Sequence, residues 1–321
     1  MLAENALLVT PLVAPILACM PPSMTGLALL FVCLALGVVI AHTVRPPATL
    51  ATSLNWWVIY IALPSMVLDL VPRIHFEPQF WFLMAANWLV FLGAALLFAL
   101  LGRHLGWTPA RIGALSLVGG LGNTALVGYP MIEALRGKAG LALAVIGDQT
   151  GCFTALTVGG VALTVIYAGG EMRPWRIVRQ IALFPAFLAL MAGIALALAG
   201  DPLPWLHAIC ARLATTLTPL ALFSVGLQQR LILPRSSLAA IGYGIGWKLL
   251  LAPALCYLLG TISGVTGLVL VVGVLQAAMP PMVSAAILAD QHQLEPALAG
   301  SVLGIGIVLS LATVPWINAL L

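Results

Sequence analysis

Two apolar segments of this chain are interrupted at their centres. The first break is Gly122-Asn123 within LVGGLGNTALVGYP, and the second is Pro280-Pro281 within LQAAMPPMVSAAIL, 158 residues further on. A helix in hydrocarbon must satisfy its backbone groups internally, so irregular backbone at mid-depth survives only where protein encloses it or where it lines a cavity. Paired breaks at matching places in two halves point to the substrate site of a secondary transporter.

That inference needs a membrane chain, and composition supplies one. With 62% hydrophobic and 7% charged residues in 321, most of the chain belongs in hydrocarbon. Apolar runs of about twenty residues recur, as over 24–41 and 80–101, instead of the period-two alternation of an outer-membrane barrel. The expected class is an all-α polytopic membrane protein in contact with lipid. The net charge of +4 comes from Arg and Lys scattered through short connections, with no basic stripe or aromatic-interleaved patch, so nucleic acid is excluded as a partner. Cys19, Cys33, Cys152, Cys210 and Cys256 all lie in apolar stretches without zinc-site spacing and read as small hydrophobes. His42, His75, His104, His207 and His292 fall near predicted span ends, where a solvated or interfacial role is expected rather than a ligand role. No metal and no cofactor follow.

The apolar runs, cut at Pro, Gly and charged breaks, give ten spans at roughly 24–41, 51–71, 80–101, 112–135, 139–168, 179–199, 205–229, 237–260, 265–289 and 295–320. Division after the fifth span leaves a first unit over 24–168, a linker at 169–176 and a second unit over 177–321. Pro64 in the first unit answers Pro219 in the second, 155 residues away, close to the offset of the two breaks. A constant offset at two landmarks is what a duplicated unit predicts. Five spans per unit is odd, so the second unit enters the membrane inverted, with broken helices four and nine crossing. Residues 1–23 have no counterpart; Ala6–Met20 is short, carries Pro11 and Pro15, and reads as an interfacial extension, with an eleventh span as the alternative.

Loops after spans one, three, five and seven hold eight positive residues (Arg45, Arg103, Arg111, Arg173, Arg176, Arg179, Arg230 and Arg235), and the opposite side has Arg73, Arg136, Lys138 and Arg212. The positive-inside rule puts the first set in the cytoplasm, with both ends of the ten-span core facing outward across a bacterial inner membrane.

Helix rise, counted inward from the nearest polar border, sets Asn123, Asp148 and Lys248 about 15 to 18 Å deep, near the midplane. A charged side chain there costs about 2.5 to 3.5 kcal/mol on insertion scales, so its retention argues for use. Asp148, followed by Gln149, is the candidate for binding and releasing a coupling ion, a proton first of all, with Lys248 or the substrate's own charge tuning it. A buried Asp148–Lys248 ion pair without function is the competing reading. Gly122, Asn123 and Thr124 make the first half of a candidate substrate site, and Pro280, Pro281 and Met282 the second. The prolines lack amide protons and free carbonyls of the preceding turn, while half-helix N-termini favour an anion. Asp69, Glu77, Glu133, Asp290 and Glu295 lie near predicted ends and are expected to be solvated, as are Glu4, Glu171 and Asp201.

GLGNTALVGYPMIEALRGKAGLALAVIGDQTG and GVLQAAMPPMVSAAILADQHQLEPALAGSVLG, together with ALPSMVLDL and LTPLALFSVGLQ, resemble the auxin efflux carrier family, whose members include plant auxin carriers and bacterial malonate or malate carriers. The likeness runs over nearly all of 24–321. It implies ten helices in two inverted five-helix units, with helices four and nine crossing beside a carboxylate site. In plant members the first break is Pro-Asn; Asn123 matches the Asn and Gly122 stands for the Pro, while Pro280 matches the second Pro and Pro281 replaces a polar residue. The long cytoplasmic loop of many plant members is absent. The expected function is secondary transport of small organic anions, such as malonate, malate or auxin-like acids, by alternating access with proton coupling. A sodium-coupled symporter of the bile-acid type is the rival that sodium dependence would separate. An intramembrane enzyme would need HExxH or paired mid-span carboxylates, and the sequence has neither. A sensor without transport would need an attached signalling domain. Substrate identity, transport direction and oligomeric state stay open, a homodimer among the candidates.

Overall fold

The computed structural model describes residues 22–47, 49–74, 77–169, 174–200, 203–229 and 237–321. The expected extension at 1–23 lies outside them save for its last two residues, as do Cys19, His75, Arg230, Arg235 and residues 170–173 of the linker. Among the described residues every named element is helical, and the one strand-like feature is an isolated antiparallel bridge between Gly122 and Pro281.

The helices are α1 (Pro22–Thr43), α2 (Leu50–Arg73), α3 (Trp81–Leu105), α4 (Pro109–Gly120), α5 (124–136), α6 (138–168), α7 (Pro174–Ala182), α8 (Pro185–Leu198), α9 (Trp205–Gln228), α10 (Leu238–Ile262), α11 (Gly267–Ala277), α12 (Val283–Gln291) and α13 (Pro296–Leu320). α5 and α6 form one 45-residue helical run, yet Gly137 at φ 67°, ψ −168° turns the chain between them. Counting that run once, seven helices among the described residues are long and apolar enough to cross a membrane. Two more apolar helices, α8 and α11, are shorter. The chain is a multi-pass membrane protein.

Prolines write much of this geometry. At the first turn of α4, α8 and α13 a proline loses nothing, because that amide has no intrahelical partner. Inside helices, three wide π turns each end two residues before a proline: Val58–Ala62 before Pro64, Thr124–Gly128 before Pro130, and Trp247–Leu251 before Pro253. The ring clashes with the carbonyl four residues back and offers no amide to it, so the turn expands. Pro219 in α9 follows an open turn at Thr215-Thr216.

Two packed groups result. α1 lies along α9, and α2 packs against α8 and α9. The α1–α9 contact is backbone on backbone: a Cβ at Gly37 would meet the Phe223 carbonyl, and one at Gly226 would meet the Leu34 carbonyl. α3, α4, α6, α10, α11, α12 and α13 pack around the two breaks. Three of the cavities lie between the groups, lined from both.

Asp69 and His207 depart from expectation. Both are buried, at 5% and 4% exposure, and His207 Nδ1 stands 3.5 Å from an Asp69 oxygen that also pairs with Arg73 at 2.9 Å. Near a span end is not the same as in water, because α2 and α9 pack on each other there. Glu295 also finds a partner, taking Arg111 Nε at 3.0 Å.

Candidate functional site

α4 stops because Leu121 is extended (φ −109°, ψ 118°), and Gly122 and Asn123 carry the chain across before α5 begins. α11 stops because Pro280 and Pro281 have no amide to give. The two stops meet. Asn123 N donates to the Pro280 carbonyl at 2.7 Å, and Met282 N donates to the Leu121 carbonyl at 2.9 Å.

Each break frees carbonyls that buried polar groups must take up. Asn123 N no longer serves the Gly119 carbonyl, which accepts Trp247 Nε1 at 3.2 Å instead. The carbonyl of Gln276 has lost its partner to Pro280 and takes Met279 N at 3.2 Å in a tighter turn. That of Ala277 has lost its partner to Pro281 and takes Lys248 Nζ at 3.0 Å. Adjacent residues of the α10 wide turn thus hold one freed carbonyl from each break. Cys152 Sγ reaches the Gly122 carbonyl at 3.2 Å. Gly122 is small for a reason, since a Cβ there would lie 3.1 Å from Lys248 Nζ.

Asn123 Oδ1 caps α5 by accepting Leu126 N at 3.2 Å. Its Nδ2 is buried and has no hydrogen-bond partner among the described residues. Asp148 opens a π turn in α6 and accepts from Thr124 Oγ1, from Tyr129 OH at 2.7 Å and from Gln149 Nε2 at 2.8 Å. Behind that turn, Gln276 Nε2 donates to the Ala144 carbonyl at 2.7 Å and Asn87 Nδ2 to the Gly147 carbonyl at 3.2 Å, which ties α6 to α11 and α3.

A cavity of about 450 Å³ ends at Asn123, Tyr129, Asp148 and Met282 and runs out to the exposed Gln180 and Gln291. Its wall is mainly apolar, with Phe153 stacked on Phe184 at 4.1 Å between ring centroids. Asp148 is the one charged group among its described lining residues. No group of three or more His, Cys, Asp or Glu able to hold a metal gathers among the described residues.

The residues singled out in the sequence come together in two sets. Gly122, Asn123, Thr124, Pro280, Pro281 and Met282 surround the contact between the breaks, and Asp148 with Gln149 joins them through Thr124. Lys248 does not pair with Asp148, and no basic side chain among the described residues does. Sequence reasoning missed Tyr129, Trp247, Gln276, Asn87 and Cys152. Gln276 carried a signal, being a lone amide four residues before Pro280 in an apolar run. Tyr129 and Trp247 carried none, because aromatic residues are ordinary in such helices.

A sequence profile of the family described as Membrane transport protein matches residues 22–318. The chain belongs to that family, the auxin efflux carriers. Across 312 residues this carrier is 30% identical to a Rhizobium meliloti protein named "Putative malonate transporter", covering 90% of this chain and 93% of the relative. It is 28% identical over 267 residues to an uncharacterized transporter of Methanothermobacter thermautotrophicus, covering 83% and 87%. Another uncharacterized transporter, from Methanocaldococcus jannaschii, is 27% identical over 282 residues, covering 82% and 87%.

Proposed function

We propose that this carrier moves small organic anions across a bacterial inner membrane by alternating access, and that each anion travels with a proton carried on Asp148. The observation that carries the reading is the inner end of the cavity that reaches Asp148. An unpartnered amide donor from Asn123 and the N-termini of α5 and α12 favour an anion there, while Asp148 brings a carboxylate and the described lining no cation. An ionised Asp148 repels an incoming carboxylate in a low-dielectric site, and a protonated one does not. Binding of the anion and binding of the proton are then linked by the same repulsion. The malonate-named relative supports a carboxylate as the substrate class.

Ten spans in two inverted five-helix units, with the breaks crossing, accord with this reading. What supports them is the offset of 158 residues between the breaks and the loosened turn before both Pro64 and Pro219. Cytoplasmic placement of Arg45, Arg103 and Arg111, with both core termini outward, rests on the charge bias of the loops.

Asp148→Asn keeps the side chain's size and removes its charge change. In proteoliposomes it is expected to abolish accumulation of malonate or a similar carboxylate driven by a pH gradient, while exchange between equal pools persists. Accumulation with the parent's pH dependence would remove Asp148 from the coupling step.

A further inference from the structure

A second cavity, of about 370 Å³, lies beyond Tyr129 from the first. The two are stacked along the same helices. On and beside α5, the first cavity touches Asn123, Ala125 and Leu126 and the second touches Pro130, Glu133 and Ala134; Tyr129 lines both. On α2 the first touches Val58, Ile59 and Leu63, and the second Met66, Asp69 and Leu70. On α9, Leu217 lines both. The second cavity runs out to Lys138, which is exposed at the turn between α5 and α6, while the first runs out to Gln180 and Gln291. One layer of side chains, Tyr129 and Leu217, therefore stands between two vestibules that approach from opposite ends of α5. Both are buried, at 1% and 2% exposure.

Tyr129 is also tied to the acid. Its hydroxyl donates to Asp148 Oδ2 at 2.7 Å, beside the donors Thr124 and Gln149. A protonated carboxyl has its own O–H to place, so one of the three donors must turn round or leave. The hydroxyls of Tyr129 and Thr124 can accept as well as donate, whereas the Gln149 amide nitrogen cannot, and of the two hydroxyls only Tyr129 lines both cavities.

We propose that Tyr129 is the partition between the two vestibules and a positioning residue for the coupling proton, its hydrogen bond to Asp148 linking the seal to the acid's load. This rests on the reading of Asp148 as the proton carrier. The other titratable groups around the pair are Asp69 on α2, Glu133 and Lys138 at the second vestibule, Cys152 on α6, and Lys248 on α10 behind Gly122. None of them hydrogen-bonds the Tyr129 hydroxyl.

The test uses the full chain in proteoliposomes, with proton entry read by a pH-sensitive dye without substrate and transport read with labelled malonate across a pH series. Tyr129→Ala is expected to lose the parent's proton-tight seal, and a seal equal to the parent's overturns the partition. Tyr129→Phe keeps the bulk, so it is expected to stay sealed while the pH profile of transport shifts from the parent's. An unshifted profile overturns the link to Asp148. Should Tyr129→Ala fail to fold, Tyr129→Val decides the partition in the same dye assay: it is expected to leak protons faster than the parent and than Tyr129→Phe, and a seal equal to theirs overturns the proposal. Tyr129→Ala and Asp148→Asn fail separately. A leaking Ala variant beside a fully coupled Asn variant supports the partition and removes the proton from Asp148.

Discussion

At Gly122-Asn123 the chain keeps its amides and redirects them, whereas at Pro280-Pro281 it gives up two amides and borrows donors from α10 and its own preceding turn. The first break takes Trp247 on the Gly119 carbonyl, Cys152 on the Gly122 carbonyl and the Asn123 cap on Leu126 N, and still leaves one buried amide donor, Asn123 Nδ2, without a partner among the described residues, on a side chain that lines the cavity. The second is held from outside, by Lys248 on Ala277, by Met282 N on Leu121, and by Pro281 packing where a Cβ on Gly306 would stand. Chemistry is thus concentrated at the first break and rigidity at the second. A binding defect should map to the former, and a stability defect without a change of ligand preference to the latter.

The comparison can be broken most easily at Gly122. A leucine there must push aside Lys248 Nζ, 3.1 Å from where its Cβ would stand, and place its branched end against the Gln276 carbonyl, which that Cβ would already touch at 3.5 Å. Gly122→Leu should cost about 3 kcal/mol, the upper range for overpacking, as a fall in thermal stability of purified protein. A loss under about 1 kcal/mol would mean the first break tolerates bulk and is not confined by the second. Asn123→Ser should matter less for folding, because serine keeps an acceptor for Leu126 N. Its effect belongs to binding, about 2 kcal/mol or roughly 30-fold in Kd for a carboxylate, read by isothermal titration. Parent-like affinity would leave the free amide without a role. Pro281→Ala is expected to be the mildest, about 1 kcal/mol from lost ring contact and a looser unfolded chain, with affinity unchanged. A larger affinity loss there than at Asn123 would reverse the assignment of chemistry and rigidity.

Much of this was legible because glycine and proline act on their own neighbourhood. The breaks at 122–123 and 280–281, the turn at Gly137 and the burial of Asp148 all follow from residues within one or two turns of the feature. What grips Asp148 was not legible: Thr124 and Tyr129 lie 24 and 19 residues before it, on the far side of a helical turn-back. Lys248 shows the limit in another form. Its burial was readable, but a lysine amine reaches a carbonyl as readily as a carboxylate, and only the neighbouring backbone decides between them. Asp69 and His207 were misread for a related reason, since distance from a span's end measures depth in the membrane and not distance from other helices.

The glycines of α1 and α9 carry a consequence for motion. A slip of one turn, about 5.4 Å, would bring Cys33 or Ala41 to the place of Gly37 opposite Gly226. Either residue would push a Cβ into the space the Phe223 carbonyl occupies. Helices meshed through flexible side chains can exchange rotamers and ratchet past one another, but two main chains in contact have nothing to exchange. α1 and α9 therefore hold one register against each other, and under the alternating access proposed above they would be the fixed spar that any travelling part slides against.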